Sequence, residues 1–143
     1  MSNCQFLNDP TLFSDADKLF TYSKGGFVNL QSYTISIDTC SFQYGFGLTG
    51  GAIFLIPLEI TAVNIAACEF TANIAEISSA SGNGGAIYFD LSNLQSGDIS
   101  INSLSVFENN KAFKGGAMYF TVAPIDVNIL IQEVSFVDNY AIR

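Results

Sequence analysis

The chain of 143 residues has no histidine, no tryptophan, three cysteines, three prolines and only 13% charged residues. Without histidine it lacks the commonest general base, the serine and cysteine triads and the usual zinc ligand. The charge it has is lopsided: five Lys and Arg face thirteen Asp and Glu, a formal net charge of -8, which speaks against nucleic acid and anionic membrane surfaces as partners. Three cysteines are an odd number and too few for a disulfide framework. There is no N-x-[ST] sequon, so N-linked sugar cannot supply the missing polar coat, whereas abundant Ser and Thr leave O-linked sugar open. Met1 to Gln5 carries neither a basic residue nor an apolar run, so the start is not a secretory signal as it stands, which fits a mature or excised piece. The longest apolar stretch, Gly50 to Ala67, is broken by Pro57, Glu59 and Asn64. It reads as two strands and a turn rather than a membrane span.

What is present is 49% hydrophobic residues, including 13 Phe and 6 Tyr, with a mean hydropathy of +0.35. That is enough to bury the core of one domain, which excludes disorder. The apolar residues repeat. Phenylalanine recurs at Phe6, Phe42, Phe70, Phe107 and Phe136, and the last three open F-T-A-N-I-A, F-E-N-N-K-A and F-V-D-N-Y-A, ending at Ala75, Ala112 and Ala141. A glycine pair follows each of the first four: Gly25-Gly26, Gly50-Gly51, Gly84-Gly85 and Gly115-Gly116. Small Ala52, Ala86 and Ala117 come next in the later three. The units run approximately 4–39, 40–67, 68–104 and 105–133, with a partial unit at 134–143. Their irregular length falls where polar residues are inserted, as at Glu76 to Asn83.

Within a unit the periodicity is that of strands: T-I-S-I-D, G-D-I-S-I-N and D-V-N-I-L-I alternate apolar and small polar residues. A strand after the Gly pair, an Ile/Val strand and a Cys/Ser-x-Phe segment make three short strands per unit. Helix signals are confined to a single turn at Ser14 to Lys18. A unit of about 30 residues cannot bury its apolar side alone, but stacked copies share one core. The expectation is therefore one all-β domain over 1–143, a parallel β-helix (β-solenoid) of about four coils. Each cysteine lies two residues before its phenylalanine, Cys4 before Phe6, Cys40 before Phe42 and Cys68 before Phe70, with Ser105 and Val134 in the same place later. Alternation puts both on the inward face, so each should form a ladder along the stack. Replacement by Ser and Val makes small inward volume the requirement, so the thiols read as stacked and free. Asn73, Asn110 and Asn139 fall where the chain turns out of the strand; asparagine tolerates the left-handed region there, and stacked amides can bond one another. The glycine pairs read as corners requiring positive φ. A phosphate loop would need Lys-Ser/Thr and a following helix, and neither is present.

F-x-x-N-x-A followed by GGAIY resembles the repeat of the chlamydial polymorphic outer-membrane proteins, with similar repeats in large surface proteins of ciliates; the likeness runs from Cys4 to Ala141. The resemblance implies a right-handed, pectin-lyase-like parallel β-helix on a cell surface or in a secreted passenger, with adhesive or structural roles. Phe6 and Phe42 depart from the pattern, being followed three residues on by Asp9 and Gly45.

Parallel β-helices include carbohydrate-active enzymes, whose sites cluster carboxylates with calcium or as an acid and base pair. Here Asp15 and Asp17 lie in a polar insertion and make a poor calcium cage, Asp38, Glu59, Asp98 and Asp126 precede or begin strands, and Glu69 and Glu108 face out beside repeat phenylalanines. Lys18, Lys24, Lys111, Lys114 and Arg143 form no motif with them. No catalytic residue, metal ligand or cofactor is assigned, and the chain is expected not to be an enzyme. The rings of Phe27, Phe54, Tyr88 and Tyr119 read as one ladder, leaving Phe89 and Phe120 as an exposed aromatic row. The sequence opens at one Cys-x-Phe strand and closes just past another, so both end coils are expected to be open: either the chain is a piece of a longer β-helix or copies stack head to tail, and a second copy is the partner expected here. The functional expectation is a self-associating extracellular or cell-surface fibre subunit. An adhesin segment binding cells or glycans comes second, and a carbohydrate-active enzyme third.

Overall fold

The computed structural model describes residues 1–7, 24–77, 82–121 and 126–143. Among these the chain is all-β without a helix; the expected turn at Ser14 to Lys18 lies outside the described residues. The first unit contributes β1 (Gln5–Leu7) and β2 (Val28–Asp38), and the second β3 (Ser41–Gln43), β4 (Phe46–Gly47) and β5 (Ile53–Ala66). The third gives β6 (Glu69–Thr71), β7 (Ile74–Ala75), β8 (Ile87–Phe89) and β9 (Leu94–Asn102). The fourth gives β10 (Val106–Glu108), β11 (Lys111–Ala112), β12 (Met118–Phe120) and β13 (Val127–Ile131), and the fifth β14 (Ser135–Val137) and β15 (Tyr140–Ala141).

Three parallel sheets result. One runs β1-β3-β6-β10-β14, a second β15-β11-β7-β4, and the third β12-β8-β5-β9-β13 with β2 also on β5. Parallel neighbours cannot be joined by a hairpin; they need a long crossover. The crossover from β3 to its neighbour β6 is β4 and β5, which belong to the other two sheets, and the same order recurs in the next unit. Alternation decides what points in: Ile35, Val63 and Ile99 are partners and buried, as are Ile37, Ile65 and Ile101, while Ser36 and Asn64 between them are exposed.

The stretch from Gly50 to Ala67 is not two strands and a turn. It carries one strand, β5, with Glu59 at φ 50°. From Ser32 to Thr34 of β2 is two steps, where the partnered Pro57 to Ala62 of β5 is five, and a bulge absorbs the surplus because pairing on either side holds the strand together. The segment after each repeat Asn, read as a turn, forms the two-residue strands of the second sheet.

Candidate functional site

The repeat phenylalanines form one column. Phe6, Phe42, Phe70, Phe107 and Phe136 are register partners, with successive ring centroids 4.8, 4.9, 4.7 and 5.2 Å apart and nearly parallel. Such offset stacks add roughly 0.5–1.5 kcal/mol per pair beyond the area they bury.

Beside them runs a column of buried amides. The Asn73 Nδ2 donates to the Phe42 carbonyl (2.9 Å) and to Asn110 Oδ1 (3.0 Å), while its Oδ1 accepts from the Gly45 N–H (2.8 Å). Asn110 repeats this toward the Phe70 carbonyl and Asn139 Oδ1, and its own Oδ1 accepts from the Asn73 N–H. Asn139 donates to the Phe107 carbonyl. Each Asn thus satisfies a backbone carbonyl and a backbone N–H of the preceding unit, groups that would cost about 1–3 kcal/mol each if left unpaired. Both amide protons of Asn73 and Asn110 are used, one on a carbonyl and one on the next amide, so neither residue has a donor to spare for a ligand. The left-handed residue is not the Asn but the one before it: Tyr44, Ala72, Asn109 and Asp138 have φ of 59°, 53°, 55° and 49°. Gly45 departs from the motif for a spatial reason, since a Cβ there would lie 2.4 Å from the Gly51 carbonyl oxygen and 2.7 Å from the Phe27 ring. Phe27 aligns with Ala52 by register (Val28 pairs Ile53) and tilts against Phe6 and Phe42 inside. It is therefore not part of the ladder with Phe54, which pairs with Asn29.

The third column is Cys4, Cys40, Cys68, Ser105 and Val134. Ser41, Glu69, Val106 and Ser135 each donate their N–H to the column residue of the preceding coil, at 2.9, 2.9, 2.8 and 2.9 Å. All three cysteines are free thiols. Their S–H groups donate to the carbonyls of Ser2, Asp38 and Ala66, two residues back in each case. Burial pushes the Cys68 thiol up to about 11 and raises that of Cys40. Each column residue follows a left-handed one, Asn3, Thr39, Ala67 or Glu133, except that Ser105 follows two, Ser103 and Leu104. The extra residue throws Leu104 outward, 77% exposed. A groove of about 350 Å³ opens along this corner over Cys4, Cys40 and their neighbours.

The glycine pairs divide their labour. Gly25, Gly50, Gly84 and Gly115 have φ of 75°, 65°, 70° and 61°; their partners do not have positive φ. The second glycine is excluded by space instead, since a Cβ on Gly85 would meet the Gly116 carbonyl oxygen at 1.8 Å. The expected exposed aromatic row is corrected as well: Phe89 is fully buried and stacks with Phe120 at 4.4 Å on the inner face, while Tyr88 stacks between Phe54 and Tyr119 on the outer one. Within the ladder of Phe54, Tyr88 and Tyr119 the rings cover one another's faces, which leaves the far face of Tyr119 open.

Asp15 and Asp17 lie outside the described residues. Asp38 ends β2 and Asp98 lies within β9, so neither begins a strand. Asp98 accepts from Asn128, and Glu69 from Ser41 and Thr71. Lys24, Lys111 and Arg143 lie over the rings of Phe54, Tyr140 and Phe113. Searched against known proteins, the chain matches no family model, no curated protein and no solved structure. What the arrangement offers chemically is strand edges and apolar side chains on the coil of residues 126–143: Phe136 is 48% exposed, and Ile129, Ile131, Tyr140 and Ile142 are exposed with it.

Proposed function

We propose that the chain is a right-handed parallel β-helix module with a structural, non-enzymatic role at a cell surface or outside the cell, and that it associates with a second copy end to end. The recurrence of the three sheets in one order supports the β-helix, and the handedness rests on the resemblance to the polymorphic outer-membrane protein repeats. The observation that carries association is the contrast within the Phe column: Phe107 is fully buried and Phe136, in register on the next strand, is half exposed beside unpaired backbone. A further coil laid on β13, β14 and β15 covers both; where a second copy supplies it, the head-to-tail contact propagates into a filament. The engagement of Asp98 and Glu69 by neutral side chains supports a role without catalysis.

Negative-stain microscopy and sedimentation of the purified chain test this reading. Long uniform fibres that shorten or vanish in Phe136→Asp support it; monodisperse short rods at high concentration contradict it. The lateral face favours a second reading, an adhesin segment, because Leu104 and Tyr33 stand out at 77% and 57% exposed. Short rods that bind cells or glycan arrays, and lose binding on Leu104→Ser, would favour it.

A further inference from the structure

The thiol column has one open end. Cys4 is half-buried on the edge strand side, Cys40 next to it and Cys68 beyond are both buried, at 3% and 2% exposed, and Cys68 donates to two carbonyls, those of Ala66 and Ile37. Cys4 and Cys40 are register neighbours, since Gln5 pairs with Ser41 and the Ser41 N–H donates to the Cys4 carbonyl. Paired strands lie about 4.8 Å apart, inside the window of roughly 4.4–6.8 Å that a disulfide needs between Cα atoms. Cys4, half-buried, opens on the corner groove where a small reagent reaches it, while buried Cys40 lies beside it and meets Cys4 from within the fold. Each thiol donates a weak hydrogen bond to a carbonyl, at 3.3 Å in each case, and the Cys40 thiol already interacts with the side chain and backbone of Cys4, so turning one side chain toward the other gives up little.

We propose that Cys4 and Cys40 are a paired modification site that glutathione disulfide converts into an intramolecular Cys4–Cys40 disulfide, with Cys68 left as a thiol. The Cys4 thiolate attacks one sulfur of glutathione disulfide, forming a mixed disulfide and releasing one glutathione thiolate. The Cys40 thiolate then attacks the Cys4 sulfur, forming the Cys4–Cys40 bond and releasing the second glutathione. The two cysteines lose two protons and two electrons in all, and glutathione disulfide is reduced to two molecules of glutathione. Cys68 lies one column step beyond Cys40 and is not a neighbour of Cys4, so the mixed disulfide on Cys4 is out of its reach. The product closes a loop between positions 36 residues apart and ties β1 to β3 covalently, so the coil that carries Cys4 cannot peel away.

The test is to expose the folded full-length chain to a glutathione disulfide and glutathione buffer, count its thiols and map its peptides by mass spectrometry. The expected result is a fall from three reactive thiols in the denatured product to one, a single Cys4–Cys40 peptide, and an unfolding midpoint that rises by several degrees and returns on reduction. Cys68→Ser should still form the bond, and Cys4→Ser and Cys40→Ser should not. These variants keep the fold because Ser105 already fills the same column position. Three thiols remaining, a Cys40–Cys68 link, or glutathione retained on Cys4 without ring closure would each overturn the proposal. None of these outcomes depends on end-to-end association.

Discussion

The middle strands and the last ones carry the same side chains in the same register, yet they sit in different surroundings. Phe70 and Phe107 are fully buried between neighbours on both sides, whereas Phe136 is covered on one side only and is 48% exposed. Asn110 and Asn139 repeat the contrast: one bonds to amides above and below, the other at the last strand to one side alone. A position in this repeat therefore acquires its full energetic weight only when another strand lies on each side of it. Inward orientation by itself secures half.

That comparison can be broken by substituting matched positions. The largest difference is expected at the glycine corner. Gly85→Ala drives a Cβ to 1.8 Å from the Gly116 carbonyl oxygen and should abolish cooperative unfolding, whereas Gly116→Ala meets its nearest atoms, backbone of Tyr140, at 2.7 Å and should leave a folded chain with a lowered midpoint by circular dichroism. Next, Phe107→Ala should cost about 3–5 kcal/mol in urea titrations and Phe136→Ala about half of that, in line with half the buried surface. Asn110→Ala orphans the Phe70 carbonyl and the Asn73 amide groups and should cost about 3 kcal/mol; Asn139→Ala frees the Phe107 carbonyl and the Asn110 amide groups but should cost less, because Asn139 itself is only half-buried.

Smaller effects sharpen the same contrast. In the unfolded chain Cys68 titrates near 9.0, and in the folded chain near 11, so its burial contributes stability below pH 9 that is lost as pH climbs toward 11. The unfolding midpoint should fall across that window. Raised values at Cys40 and Tyr88 share the fall, so Cys68→Ser should make it shallower without removing it. Deleting Leu104, the surplus corner residue, should change stability least, by less than about 1 kcal/mol, because Thr39, Ala67 and Glu133 turn the same corner alone.

The repeat period, the strand class and the Cys, Phe and Asn columns were legible in the sequence because alternation alone fixes which side chains face in. Three features were not. Which residue of a corner takes the left-handed conformation is invisible to a pattern of side chains: Ala72 and Ala67 hold it with no special residue type, one position before the Asn and the Cys. The alignment of Phe27 with Ala52 instead of Phe54 depends on space vacated at Gly45, a contact between units that no single unit reveals. The inward turn of Phe89 and the outward turn of Tyr88 follow from the phase of the strand after the glycines, and two adjacent aromatics leave that phase open.

Successive units lie side by side, and one distance tests that arrangement. Leu7 and Val137 are exposed ends of a single outward column that passes through Gln43, Thr71 and Glu108. Four strand steps separate them, about 19 Å, although they are 130 residues apart in the chain. Spin labels at these two positions, in a chain with its cysteines changed to serine and diluted with unlabelled protein, should give one narrow distribution centred at about 20–25 Å once label length is added. A broad distribution, or a mean beyond about 35 Å, would contradict the stacking on which every other inference depends.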